Sequence, residues 1–170
     1  VGSEMCIRDR AVIYDSEEVG SGTKQGAGSV IIRNIIDRIF RKFGYDEETT
    51  ECALADAVGL SVDVAHGIHP NIPEKNDPTN KLLLNHGFGI KTSAGERYAS
   101  DPVVIGIVKG LCDRYDIKCQ RFVNRSDIPG GSTLGTITVA NIPMRMLDVG
   151  VPVLAMHSSR ETMGCLLYTS

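Results

Sequence analysis

The stretch AVIYDSEEVGSGTKQGAGSVIIRNIIDRIFRKFG, residues 11–44, sets two different periodicities side by side. Ala11 to Asp15 is a compact apolar run that halts at an acidic side chain, the form of a short buried strand. Beyond a glycine-rich link, Val30, Ile31, Ile35, Ile36, Ile39, Phe40 and Phe43 recur at three- and four-residue spacing, which predicts a helix with one buried face. Ser29 stands where a hydroxyl caps the first turn, and Gly44 where a left-handed residue closes the last. A strand-like run, a glycine-rich turn and an amphipathic helix make the repeating unit of an α/β domain.

The same alternation continues outward. A weaker helical segment, 47–57, leads to a strand at 60–65, where Val62 and Val64 alternate with polar positions around Asp63. The segment 70–80 holds three prolines, each removing a backbone donor and restricting the residue before it, so it reads as a long loop. Strands are expected at 88–93 and 119–123. Between them, Ser100-Asp101-Pro102 starts a helix over 103–115. A loop at 124–135, a short helix near 136–141 and two apolar runs, 144–149 and 153–156, complete the pattern, the last run halting at His157. There is no internal repeat and no linker, so one domain is the simplest parse. Four or five candidate strands are fewer than a complete doubly wound hydrolase domain carries, and part of such a domain is expected.

Composition narrows the partners. Lys and Arg number 18 against 21 Asp and Glu, and the net charge of −3 builds no field for a polyanion. With no Trp and 5% aromatic residues there is little to stack on bases, so no nucleic-acid partner is expected. No run approaches the ~20 apolar residues of a membrane span. The first ten residues lack the apolar core of a secretory signal, so no membrane partner and a cytoplasmic location are expected. Cysteines at 6, 52, 112, 119 and 165 form no C-x-x-C pair, against both a disulfide framework and a zinc knuckle.

Three apolar runs end at metal-competent side chains: Asp15 with Glu17 and Glu18, then Asp63, then His157. Open α/β sheets gather ligands beyond the carboxyl ends of their strands, so these residues can converge. Carboxylates with an imidazole suit a hydrolytic zinc, manganese or cobalt centre, and adjacent glutamates can divide ligation from proton transfer. Spacing alone leaves the commoner alternatives open, a solvated Glu-Glu loop and a strand-end Asp that caps a turn. His66 and His69 form an H-x-x-H pair that can bind substrate or metal, or simply pack. The glycines of 19–29 lack the lysine-serine pair of a phosphate loop, and Pro129-Gly-Gly-Ser-Thr reads equally as a tight turn or as a backbone lining for peptide.

Four blocks in order are more specific: DSEEVGSGTKQGAGS (15–29), SVDVAHGIHPNIPEKNDPTNKLLLNHGFGIKTSAGERYASD (61–101), FVNRSDIPGGSTLG (122–135) and DVGVPVLAMHSSRETMG (148–164). Together they resemble the C-terminal half of the aspartyl aminopeptidases, the metallo-aminopeptidase family that includes vacuolar aminopeptidase I. The resemblance covers nearly all of 11–164 and implies an α/β fold, a three-layer α/β/α zinc-peptidase-like catalytic domain present as its C-terminal half. The family's D-x-E-E motif falls on Asp15 to Glu18 and implies Glu17 as general base and Glu18 as a metal ligand. S-x-D-x-A-H falls on Ser61 to His66 and implies Asp63 as ligand of the other metal and His66 as a substrate contact. M-H-S-x-R-E falls on Met156 to Glu161 and makes His157 the partner of Glu18. Lys91 and Tyr98 match substrate-contacting positions, and a lysine near the first side-chain pocket gives an electrostatic reason to prefer an acidic N-terminal residue.

The resemblance implies two divalent ions, zinc with manganese or cobalt as alternatives, a peptide substrate, and a large homo-oligomer for the intact protein. It also implies one further histidine ligand, a bridging aspartate and a second, oligomer-forming domain, all N-terminal to D-x-E-E and not matched in VGSEMCIRDRAVIY. Segments 1–10 and 165–170 do not fit the family and resemble translated adapter read-through, so they are expected to be foreign flanks. The 170-residue chain alone is expected to be inactive. Two other readings remain at this point: a non-catalytic binding or assembly module with a decayed site, and a related two-metal peptidase of different specificity.

Overall fold

Each helix after residue 29 forms where its local signal stands. In the computed structural model, which describes residues 9–167, helix α2 (Ile31–Lys42) follows Ser29, whose hydroxyl accepts from the Ile31 amide at 3.3 Å. Gly44, at φ +82°, then takes the left-handed conformation that ends it. Helix α3 (Glu47–Ala55) starts at Asp46, whose carboxylate accepts from the Thr49 amide at 2.8 Å. Helix α4 (Pro102–Arg114) begins on a proline, with Asp101 accepting from the Val103 and Val104 amides at 2.9 and 3.1 Å. A single turn, α1 (Glu17–Gly20), precedes them, and α5 (Leu134–Asn141) follows the 124–133 loop.

The strands are β1 (Val58–His66), β2 (Phe88–Thr92), β3 (Cys119–Val123), β4 (Arg145–Leu154) and the two-residue β5 (Thr162–Met163). They form one mixed sheet in the order β1-β4-β2-β3, with β5 antiparallel on β4. The pairs β1/β4 and β2/β3 are parallel, and β2/β4 is antiparallel. Alternation along β4 decides what each face buries. Leu147 and Val149 pack with Ile90 and Val104, which places α4 on one side. Asp148 faces the other, where a β-carbon on Gly135 would lie 2.5 Å from its carboxylate, so α5 approaches there and only glycine fits. Ala65, Leu82, Tyr98 and Phe122 form the second apolar cluster. Helices cover both faces of a mixed sheet, as the α/β expectation requires.

Three details differ from the sequence reading. Ala11–Asp15 forms no strand: among the described residues no ladder reaches it, and Ile13 is 97% exposed. An apolar run becomes a strand only beside a partner. The runs 144–149 and 153–156 are not separate, because β4 passes through Pro152. The Val153 carbonyl accepts from Gly67 on the β1 side, so the missing Pro152 donor falls on the opposite edge, beyond the last β2 pair at Gly150. The apolar face of α2 is not buried by the described chain. It packs toward α3 rather than onto the sheet, and Ile35 stays 45% exposed.

The expected foreign flanks fall largely outside the described residues, which exclude 1–8 and 168–170; Cys165–Leu167 form one 3-10 turn in which the Leu166 amide donates to Asn85 at 3.1 Å. Among the described residues Cys52, Cys112 and Cys119 form no disulfide, and burial together with neighbouring Cys119 pushes the Cys112 thiol up to about 11. Among the described residues no helix is long and apolar enough to cross a membrane.

Candidate metal centre

The parallel register of β1 and β4 brings two of the candidate residues to the same end of the sheet. Asp63 pairs with Gly150 and His66 with Val153, and the chain leaves β4 through Ala155 (φ 57°) and His157 (φ 66°), both left-handed without being glycine. Such backbone costs of order 1 kcal/mol per residue and persists only where the surroundings enforce it. Here the His157 amide donates to the Glu161 carboxylate, closing the turn that sends the imidazole toward α1. Ser16, at φ 54°, makes the matching turn at the entry to α1.

Adjacent residues on a helix point about 100° apart, and Glu17 and Glu18 divide accordingly. Glu18 Oε1 lies 2.8 Å from His157 Nε2, both side chains 65% exposed. Glu17 is the less exposed of the two, and its carboxyl is held above the usual carboxylate range by desolvation first, then by the charges of Glu18 and Asp63. His157 and Lys91 oppose that shift. The two glutamates therefore occupy different environments.

Asp63 is the second focus. Lys91 Nζ stands 3.3 Å from its Oδ2 and 5.5 Å from the centre of the Tyr98 ring. Lys91 is 3% exposed, and it reaches Asp63 across Gly150, where a β-carbon would sit 2.6 Å from Lys91 Cε. The Tyr98 hydroxyl accepts from Asn124 Nδ2 at 2.5 Å, and burial raises its pKa. His66 keeps an exposed edge. Partial desolvation lowers its pKa, helped by the positive fields of His157 and Lys91. His69 Nδ1 accepts from the Asn71 amide at 3.2 Å, a local loop contact.

Glu17, Glu18, Asp63, His157 and Lys91 thus gather at one end of the sheet, with Tyr98 and His66 at the border. The donor chemistry fits a divalent ion in part. Glu18 and His157 present one oxygen and one nitrogen, half of the usual four-coordinate zinc set, and Asp63 presents a carboxylate near enough to Glu17 for its charge to raise the pKa there. Among the described residues no three His, Cys, Asp or Glu side chains converge on one ion position. Sequence reasoning missed Glu161, Asn124 and Gly150. Glu161 was within reach, lying in the same motif as His157, whereas Asn124 and Gly150 matter only through loop contact and register.

Residues 4–167 match the family model described as Aminopeptidase I zinc metalloprotease (M18). This chain belongs to the M18 family. Over 153 residues it is 46% identical to a probable M18 family aminopeptidase 2 of Clostridium novyi, covering 90% of this chain and 35% of that protein. To a probable aspartyl aminopeptidase of Ricinus communis it is 37% identical over 149 residues, 88% of this chain and 30% of the relative. The fold superposes on the mApe1 dodecamer of S. cerevisiae with a TM-score of 0.74 at 28% identity, covering 89% of this chain and 33% of that one. This M18 chain therefore spans about a third of the length of the relatives it matches.

Proposed function

We propose that this M18 chain carries the proton-transfer and part of the metal-binding machinery of a two-metal aminopeptidase that removes acidic N-terminal residues from peptides. The observation that carries the reading is the contrast at Glu17 and Glu18: one exposed and paired with His157, the other partly desolvated with a raised pKa. Glu18 and His157 would hold one divalent ion and Asp63 would flank the second, zinc being the first choice and manganese or cobalt compatible with the same donors. When bound, such ions supply Lewis acidity at a scissile carbonyl and acidify water. Glu17 takes the proton of the attacking water and delivers it to the leaving amine, a task for which a carboxylate of raised pKa is better matched to neutral pH.

Lys91 sets a buried positive charge beside Asp63, and the Tyr98 ring covers it. This supports preference for an acidic side chain, as does the name of the Ricinus relative. His66, at the border, would touch the peptide. The dodecamer formed by the yeast relative supports a homo-oligomer for the intact protein. With an incomplete ligand set among the described residues, the 170-residue chain by itself is inactive under this reading.

The test is an assay of the full-length protein containing this segment against Asp-, Glu- and Leu-aminoacyl substrates, with and without a chelator. Chelator-sensitive release that favours Asp and Glu is expected. Faster release of Leu would overturn the acidic preference, and no metal-dependent hydrolysis of any substrate would leave the binding-module reading.

A further inference from the structure

Asp148 is fully buried in the middle of β4, and none of the roles above uses it. Its Oδ2 accepts from the Ala99 amide at 2.5 Å and from the Thr133 hydroxyl at 2.6 Å. Its own amide donates to the Ala99 carbonyl at 2.8 Å, while Oδ1 has no partner among the described residues. A buried carboxylate with an idle oxygen is expensive. The two bonds at Oδ2 are what an apolar residue cannot make.

Those bonds join two loops that border the site. Ala99 sits between Tyr98 and Ser100, and the Ser100 hydroxyl donates to the carbonyls of Lys91 and Tyr98 at 3.1 and 3.2 Å. The β2–β4 register runs from Gly89 with Gly150 to Ile90 with Val149, so Lys91 and Asp148 are next in step on the face that carries Asp63. At the other loop, Thr133 is the residue before α5, and Arg97 reaches across to the Gly130 carbonyl at 3.1 Å. We propose that Asp148 is a positioning residue: its Oδ2 locks the Tyr98–Ser100 corner to the start of α5 and thereby fixes Lys91 and Tyr98 against Asp63. The consequence for turnover rests on the function proposed above; the lock between the loops does not.

Amide hydrogen exchange on the full-length protein that contains this segment reads the lock directly. Asp148→Ala should speed exchange at Ala99 by about tenfold or more and loosen residues 98–100 and 133–136, while the β1–β4 ladder keeps its protection. Asp148→Asn keeps an oxygen at the Oδ2 position and places its amide where Oδ1 is idle, so it should restore Ala99 protection. Equal loosening of every amide in Asp148→Ala, unchanged Ala99 protection, or an Asn variant as loose as Ala would overturn the proposal. Should Asp148→Ala not fold, Thr133→Val against Thr133→Ser reads the same link, with faster exchange at Ala99 and the start of α5 expected in the valine variant alone. In the full-length enzyme, Asp148→Ala should raise KM for a Glu substrate more than it lowers kcat, with Asn restoring KM. Unchanged kinetics alongside lost Ala99 protection would overturn the catalytic link and spare the lock.

Discussion

Replacing Gly150 by alanine tests how the sheet delivers Lys91 to Asp63. Gly150 lies in β4 between Asp63 on β1 and Gly89 on β2, and the lysine crosses above it. An added β-carbon would stand 2.6 Å from Lys91 Cε and 2.8 Å from Ala65 Cβ. Ordinary carbon contacts are about 3.5–4.0 Å, so Lys91 Cε must retreat by about 1 Å. The ion pair begins at 3.3 Å, and that retreat carries it beyond direct contact. Overpacking of this kind costs about 1–3 kcal/mol. Asp63 keeps 42% of its side-chain surface exposed, which screens the lost attraction and places the expected penalty near the middle of that range. Urea unfolding of the parent, Gly150→Ala, Lys91→Ala and the double variant isolates the interaction. With Lys91 cut back, the Gly150→Ala penalty should fall by about 1 kcal/mol, leaving the residual contact with Ala65. Penalties that add to within about 0.5 kcal/mol would refute the idea that Gly150 exists to let Lys91 pass.

Two further outcomes follow from single contacts. Asp101→Ala strips the start of α4 of an acceptor for two amides and should cost about 1 kcal/mol, seen as a lower urea midpoint with an unchanged slope. Because the folded chain raises the pKa of Glu17, it holds that proton more tightly than the unfolded chain does. The associated stability is present below the ordinary carboxyl pKa and is lost as pH rises through the raised value. Glu17→Gln should therefore stabilise the chain at about pH 7 and leave it unchanged at about pH 3; an equal gain at both would show that charge is not the cause.

The helices were legible because their signals are local: Asp101-Pro102 opens α4 and Gly44 closes α2 regardless of what lies around them. The strands at β1, β2 and β3 followed from alternation and short apolar runs. What escaped depended on partners. Ala11–Asp15 has the composition of a strand and no described neighbour to bond with, Pro152 splits an apolar pattern without splitting β4, and the face of α2 is apolar without being covered. The same division runs through the candidate site. Glu17, Glu18, Asp63 and His157 announce themselves as acidic or imidazole residues where apolar runs stop, and they do lie together. Gly150, Asn124 and Asp148 carry no such mark. Their importance comes from register and loop contact, which one chain's sequence does not display.

The central claim is that Glu17 moves the proton while Glu18, Asp63 and His157 hold metal, and Glu17→Gln in the full-length protein separates the two jobs. Metal content and turnover of Asp- and Glu-aminoacyl substrates would be measured on the same preparation. Retained metal with turnover reduced by about a hundredfold or more is the expected result. Full turnover in that variant would contradict the assignment of Glu17 as the base.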